Sequence, residues 1–390
     1  MDWILIVNYI DTFFFIIAAF TVLYLFIFAS AAMISRGDKY PEVKKKHRFA
    51  VIFPAYAEDA VIVSSVKSFM EQNYPKENYD IVVVSDHMSD NTNEELSRLP
   101  IILLKANYKN SSKAKALSFA IDNLDSSKYD IVVIMDADNI AAPDFLNHIN
   151  KTYAAGSNAI QAHRIAKNLN TDTAVLDAIS EEINNSIFRA GHVRLGFSSA
   201  LIGSGMAFDY KWFQENVKYT NSSGEDKELE AMLLKQHIYI EYLDKVFVYD
   251  EKTQKNEAFN QQRRRWMAAQ FHSLIHSFPD FFGAIFQRNF DYADKILQWM
   301  MLPRIILIAL ILFFGCTLAF INWELCIKWW ILLFGVALTF CIAIPNYLVD
   351  IRFTKAIKSI PFLALSMIFN LFRLRGMSQK FNHTQHGKHA

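Results

Sequence analysis

The 390-residue chain has little cysteine, and its three residues, Cys316, Cys326 and Cys341, lie far apart in the most apolar third. That spacing makes neither a disulfide framework nor a zinc knuckle, and leaves them as lipid-facing or packed side chains. An excess of charge is equally missing: Lys and Arg total 40 against 39 Asp and Glu, a formal net charge of +1. No global field recruits nucleic acid or an acidic partner, so any charge effect is local. Internal repeats, low-complexity tracts and Gly/Ser linkers are also absent, which predicts that domain and membrane helices form one rigid unit. What the chain has in quantity is apolar surface: 52% of its residues are hydrophobic in the broad sense, 33 of them Phe. That is far too much for a disordered protein.

The run Ile4–Phe28 carries one charge, Asp11, and roughly 20 apolar residues suffice to cross a hydrocarbon core as a helix. It starts with Asp2 and is too long for a cleaved secretory signal, so a retained span is expected. Arg36, Lys39, Lys44, Lys45, Lys46 and Arg48 follow it, and the positive-inside rule places them in the cytoplasm, with the N-terminus outside. Two further runs, Met300–Phe320 and Trp329–Val349, read as a helical hairpin turning at Asn322–Glu324. Basic residues at both of its ends return them to the cytoplasm. Ile360–Phe372 is too short to span and reads as interfacial or re-entrant, and Phe278–Phe286 also looks interfacial. The expected division is an N-terminal transmembrane helix (1–30), a basic linker (31–48) and a catalytic domain (49–275). An interfacial region (276–298), a transmembrane hairpin (299–350) and a basic interfacial helix with a cytoplasmic tail (351–390) complete it. An inner or plasma membrane location, with the domain cytoplasmic, follows from the charge pattern.

Between the membrane segments, short β-rich runs (Phe49–Phe53, Ile81–Ser85, Ile131–Met135) alternate with helix-like stretches (Ala60–Glu71, Lys113–Leu124). This is the pattern of an α/β domain. The runs are almost wholly apolar, as parallel strands covered on both faces are, and ligands bind at their carboxyl ends.

The third run ends in Asp136-Ala137-Asp138, two carboxylates able to converge on a hard cation, or else to cap the next segment. The second ends in acid too, Asp86 and Asp90, and adjacent strands would aim all four groups at one crevice. After the first run, Pro54, Tyr56 and Glu58 lie where a nucleotide could dock, but neither G-x-G-x-x-G nor G-K-[ST] is there, which disfavours a dinucleotide fold and a P-loop ATPase. Gly203-Ser204-Gly205 either lets a ligand approach the backbone or forms an ordinary turn. Gly224-Glu225-Asp226 opens a helix, supplying a general base or only N-terminal negative charge. Gln262-Arg263-Arg264-Arg265-Trp266 suits a diphosphate and a sugar ring, or a lipid headgroup at the interface.

In this order, from Phe53 to Trp266 and between membrane helices, these pieces resemble the membrane-embedded family 2 glycosyltransferases, the group of cellulose, chitin and hyaluronan synthases and several glycolipid transferases. The matching stretches are P-A-Y-x-E from Pro54, the acidic turn at Asp86 and Asp90, K-A-x-A-L from Lys113, the D-x-D, G-S-G-M-A-F from Gly203, the E-D pair and Q-x-x-R-W. The resemblance implies a GT-A, Rossmann-like α/β fold, a nucleotide-diphosphate sugar donor, expected to be a UDP-sugar, and Mg2+ or Mn2+. It further implies inversion, giving a β-linked product from an α-linked donor. Carried over, Pro54, Tyr56, Glu58, Asp86 and Lys113 would meet the nucleotide, Asp138 the metal, and Asp136 the ribose or metal. Asp226 would be the catalytic base. Gly203, Ser204, Gly205 and Glu225 would border the acceptor, while Gln262, Arg265 and Trp266 would bind the diphosphate and frame the acceptor site. His87-Met88 departs from the family's usual small residues. The tail Phe381–His386 resembles W-x-K-T-x-H with Phe for Trp and His for Lys.

Q-x-x-R-W favours polysaccharide synthesis over transfer of one sugar to a lipid. Three spans are few for a polysaccharide channel, so export would require a homo-oligomer or a partner. The third reading, an inactive scaffold binding nucleotide sugars, is disfavoured by retention of every acidic position.

Overall fold

The structure, a computed structural model, describes residues 3–35, 40–222 and 224–357. The expectations for 360–372, for the tail motif, and for Arg36 and Lys39 fall outside them. The strands are β1 (Phe49–Tyr56), β2 (Tyr79–Asp86), β3 (Ile102–Ala106), β4 (Ile131–Ile134), β5 (Ile140–Ala141), β6 (Ala159–Ala166), β7 (Met206–Asp209) and β8 (Ile240–Asp250). The helices up to the end of the sheet are α1 (Trp3–Ala32), α2 (Ile62–Phe69), α3 (Asp90–Ser97), α4 (Lys113–Asp122), α5 (Phe145–Ala154), α6 (Asp172–Asn184), α7 (His192–Arg194), α8 (Tyr210–Asn216) and α9 (Glu225–Lys235). After β8 come α10 (Asn256–Ser277), α11 (Phe281–Phe286), α12 (Phe290–Met300), α13 (Arg304–Ile321), α14 (Trp323–Ala343) and α15 (Ile351–Ile357).

The eight strands form one sheet in the order β3-β2-β1-β4-β7-β6-β8-β5. β1 to β4 are parallel, and β7 runs antiparallel to both β4 and β6. The mixed sheet corrects the all-parallel expectation for its second half only. Both faces are covered, which explains why the strands read as continuous apolar runs. Ala50 and Ile52 of β1 face α4 and α9 through Leu117 and Leu229, while Phe49, Val51 and Phe53 face α2 and α5 through Val66, Phe69 and Phe145. Each large side chain so buried contributes about 1.5–3 kcal/mol relative to exposure.

Among the described residues, three helices are long and apolar enough to cross a membrane: Leu5–Ala32 within α1, α13 and α14. The hairpin boundaries differ from expectation. Pro303 is the N-cap of α13 and starts it at Arg304, and the Asn322 side chain accepts from the Glu324 N–H at 3.0 Å, so α14 starts at Trp323 rather than Trp329. The one charge of α1 is compensated: Asp11 accepts from Lys328 Nζ and from Trp329 Nε1 (2.7 Å) of α14. That pairing is what makes an acid tolerable among apolar helices.

α1 is also locked to the domain. Tyr24 bonds Asp294 (2.7 Å) and His192 (2.8 Å), and the Phe28 ring stacks on His192 at 3.7 Å. Gly191 is required there, since a Cβ would lie 2.1 Å from the Phe28 carbonyl oxygen. α11 leaves Phe282 and Phe286 exposed, as does the preceding turn Phe278, an apolar surface of the kind an interfacial element carries.

Candidate active site

β1, β2 and β4 end side by side, in the register Tyr56↔Asp86 and Ile52↔Ile134, so the residues after them share one rim. A cavity of about 1080 Å³ opens there, lined among others by Tyr56, Asp86, Lys113, Asp136, Asp138 and Asp226. Pro54, Glu58, Gly203, Glu225, Gln262, Arg265 and Trp266 line it as well. Three expected residues do not. Asp90 is exposed as the first residue of α3, whose Ser89 cap turns it away, so the four acids do not converge. Nor are β2 and β4 adjacent; both flank β1.

Ser204 and Gly205 lie behind the cavity wall. Gln161 Nε2 donates to the Ser204 carbonyl at 2.9 Å, and a Cβ on Gly205 would stand 3.0 Å from Val248. They support Gly203 rather than border a ligand. Gly203, at φ +84°, is the residue of the three that faces the cavity. A Cβ there would lie 3.6 Å from Lys113 Nζ, 3.8 Å from Asp226 Oδ2 and 3.9 Å from Glu225 Oε1.

On the nucleotide side, Asp86 is buried and accepts from the Tyr108 N–H at 3.5 Å and lies 2.7 Å from His87 Nδ1. His87 is at φ +56°, a conformation that lets its ring sit against Tyr56 at 5.2 Å. Here the His87-Met88 departure is absorbed: Met88 Sδ accepts from the Glu58 N–H.

Lys113 opens α4 behind its Ser112 cap. Its ammonium donates to Asp136 Oδ1 at 2.5 Å and to the Gly203 carbonyl at 2.6 Å, with Glu225 Oε1 at 3.5 Å. Burial works against that charge, but Asp136 and Glu225 outweigh it and hold its pKa above the ordinary value. Glu225 is pushed up to about 7 by burial, with Asp226 adding to the shift and Lys113, committed mainly to Asp136, opposing it. A carboxyl whose folded pKa exceeds its ordinary 4.5 contributes stability at low pH that is lost as pH rises from about 4.5 to about 7. Glu225→Gln is therefore expected to flatten the fall of the apparent Tm over that window; an unchanged pH profile would assign the fall to other groups.

Asp138 is buried, accepting from Asn139 Nδ2 (3.2 Å) and from the Glu251 N–H (2.9 Å), while Asp136 is one-third exposed. Among the described residues no group of three or more His, Cys, Asp or Glu forms a metal cage. Two carboxylates at one cavity end fit a hard cation that keeps water and phosphate oxygens for the rest of its shell.

Sequence reasoning missed the layer beneath. Arg164 of β6 binds Glu181 through two hydrogen bonds (2.9 and 3.2 Å) and lies 3.6 Å from Asp250 and 3.8 Å from Asp136; Lys252 bridges Glu181 and Asp250, each at 2.8 Å. Burial opposes the Arg164 charge, and Asp250 and Glu181 hold it well above its ordinary pKa. The signals were an arginine inside an apolar strand and an acid at the end of β8, the criterion that had selected Asp86 and Asp136.

α10 places Gln262, Arg265 and Trp266 at i, i+3 and i+4, one helix face. Thr253 donates to Gln262 at 3.4 Å, and Arg263, paired with Asp177 at 2.8 Å, covers one face of Trp266 at 4.7 Å. Gly224 fits α9 against this helix, since a Cβ would approach Ala269 to 2.8 Å.

Residues 47–269, more than half of the chain, match the family "Glycosyltransferase like family 2". A dolichyl N-acetyl-alpha-D-glucosaminyl phosphate 3-beta-D-2,3-diacetamido-2,3-dideoxy-beta-D-glucuronosyltransferase of Methanococcus voltae is 24% identical over 204 residues, 48% of this chain and 61% of that protein. The probable glycosyltransferase YdaM of Bacillus subtilis (strain 168) is 28% identical over 104 residues, 25% of this chain and 24% of YdaM. The chain thus spans under two thirds of either relative. In structure, the mannosyltransferase PcManGT from Pyrobaculum calidifontis, solved with GDP-Man and Mn2+, superposes at TM-score 0.54 with 16% identity, covering 92% of this chain and 99% of that one. The motif order, the mixed sheet and the match over the whole α/β domain make this chain a family 2 glycosyltransferase with a GT-A-like fold, flanked by helices able to span a membrane.

Proposed function

We propose that the protein transfers a sugar from a nucleotide-diphosphate donor to a hydroxyl of a membrane-borne lipid acceptor, with inversion at the anomeric carbon. The observation that carries this reading is one cavity lined both by Asp136 and Asp138 and by Ile305, Ile308 and Phe340 of the helices able to span a membrane. The Methanococcus voltae relative, named for a dolichyl-linked phosphosugar acceptor, and the GDP-Man and Mn2+ held by PcManGT support the acceptor and donor classes. Asp136 and Asp138 would hold Mg2+ or Mn2+, whose charge offsets that of the departing diphosphate together with Arg265. Asp226 would take the acceptor proton from the opposite face in a single displacement. Lys44 to Arg48 after α1, with Arg304 at the start of α13, support a cytoplasmic domain.

Polysaccharide synthesis is kept in view by Gln262, Arg265 and Trp266 on the cavity wall. One experiment decides between them. Purified full-length protein is incubated with a panel of nucleotide sugars and a membrane lipid extract, and the product is sized. Addition of a single sugar to lipid is expected. A polymer would overturn the lipid reading, and absence of donor turnover with every nucleotide sugar would overturn the enzyme.

A further inference from the structure

The same cavity is lined by guanidinium groups that this chemistry does not use. Arg304 donates through Nη2 to the Ser180 carbonyl (3.2 Å) and hydroxyl (3.1 Å), and its Nη1 is buried with no partner among the described residues. Among the described residues, the charges close enough to act on it are two more cations, Arg263 and Arg189. Arg263 is neutralised by Asp177. Arg189 is not: 3% exposed, it donates to the Ala200 carbonyl (3.2 Å) and to Asn185 Oδ1 (2.5 Å), both uncharged. The acids that act on it, Glu181 and Glu230, are already bound, Glu181 by Arg164 and Lys252 and Glu230 by Lys295 at 2.9 Å. One buried guanidinium and one part-buried guanidinium with a buried Nη1, neither paired with a carboxylate among the described residues, carry a desolvation cost that an anion from outside would offset. Guanidinium forks match phosphate.

Next to Arg304 the wall becomes hydrocarbon: Ile305 and Ile308 of α13, Phe340 and Ile344 at the end of α14, and Phe353 of α15. Charge at one point and an apolar path leading from it between helices able to span a membrane describe an amphiphile with an anionic head. Resting on the transferase reading above, we propose that Arg304 and Arg189 hold the phosphate of a lipid-phosphate acceptor, whose hydrocarbon chain leaves along α13 and the end of α14. Scale agrees. Ala200, bonded to Arg189, is three residues from Gly203 beside Asp226, at most about 11 Å of chain, so a phosphate on Arg189 and the base are close enough to serve one acceptor molecule.

The test measures binding by the full-length protein in phosphatidylcholine nanodiscs. The probes are a polyprenyl phosphate, the polyprenol of equal length, phosphatidylglycerol and inorganic phosphate, with UDP and GDP as donor-side controls. The polyprenyl phosphate is expected to bind at least about tenfold more tightly than the other three. Arg304→Gln should erase that preference and Arg304→Lys restore much of it, with nucleotide binding unchanged in both. Ile308→Trp, which fills the hydrocarbon path, should weaken the polyprenyl phosphate alone.

Equal binding of polyprenol would remove the phosphate seat, equal binding of phosphatidylglycerol would make it a generic anionic-lipid site, and equal binding of inorganic phosphate would remove the tail path. Loss of nucleotide binding in Arg304→Gln would assign the arginines to the donor. Any of these overturns the proposal. Arg304-dependent lipid binding by a protein that turns over no nucleotide sugar would sink the transferase reading and leave this seat standing.

Discussion

Asp226→Asn is expected to lower sugar transfer by on the order of 10²–10⁴-fold, the usual scale of a lost general base, while UDP or GDP binds with near-normal affinity. The geometry separates the two effects. Asp226 is the second residue of α9, where Oδ1 accepts from the Lys227 N–H at 2.9 Å and Oδ2 faces Gly203. An amide at this position keeps the shape and loses the proton acceptor. If Asp226 served only to place negative charge at a helix N-terminus, the same substitution would cost about 0.3–1 kcal/mol of stability and leave the rate almost unchanged. Calorimetric nucleotide binding and turnover on one preparation distinguish the outcomes, and retained turnover would remove Asp226 from the mechanism.

Asp138→Asn should lose both transfer and nucleotide affinity, with transfer falling by at least about 10²-fold, because a metal supplies several kcal/mol of charge stabilisation and each 1.4 kcal/mol is tenfold. This variant carries a complication that the buried setting makes explicit. The two oxygens of Asp138 accept from Asn139 Nδ2 and the Glu251 N–H, so an amide must point a donor at a donor, at about 1–3 kcal/mol. Thermal unfolding of the variant measures that part. Wild-type protein in excess chelator measures the metal part without it, and Mg2+ or Mn2+ should restore turnover. Normal transfer by wild type in chelator would show that Asp136 and Asp138 act without a cation.

The fold was readable where a local pattern meets a local cause. The apolar runs at 49–53, 81–85 and 131–135 became β1, β2 and β4 because both sheet faces are covered. Ser112 and Lys113 start α4 because a hydroxyl can satisfy the helix amides. Most proposed site residues line one cavity because they follow strands whose ends coincide. Where reading failed in these elements, the cause was a helix cap that outweighed residue type or hydropathy. Asp90 carries the same carboxylate as Asp86, yet four residues and a Ser89 cap put it on the exposed side of α3. The hairpin helices began elsewhere because Pro303 and Asn322 set their starts more strongly than hydropathy does.

By itself, then, the sequence determined the α/β class, the helices long and apolar enough to span a membrane and most of the residues that line the cavity, since these follow from periodicity, length and short motifs. Only the tertiary structure decided that Ser204 and Gly205 support the wall while Gly203 forms it. It also decided that Lys113 ties Asp136 to Gly203 and that Arg164, Glu181, Asp250 and Lys252 form one buried ion network beneath the site. Arg189 and Arg304 stand 115 positions apart on segments whose local patterns say nothing of each other. Their meeting in a single cavity depends on how the segment following α6 packs against α13. Electrostatic energy depends on distance through space, and no spacing along the chain encodes it.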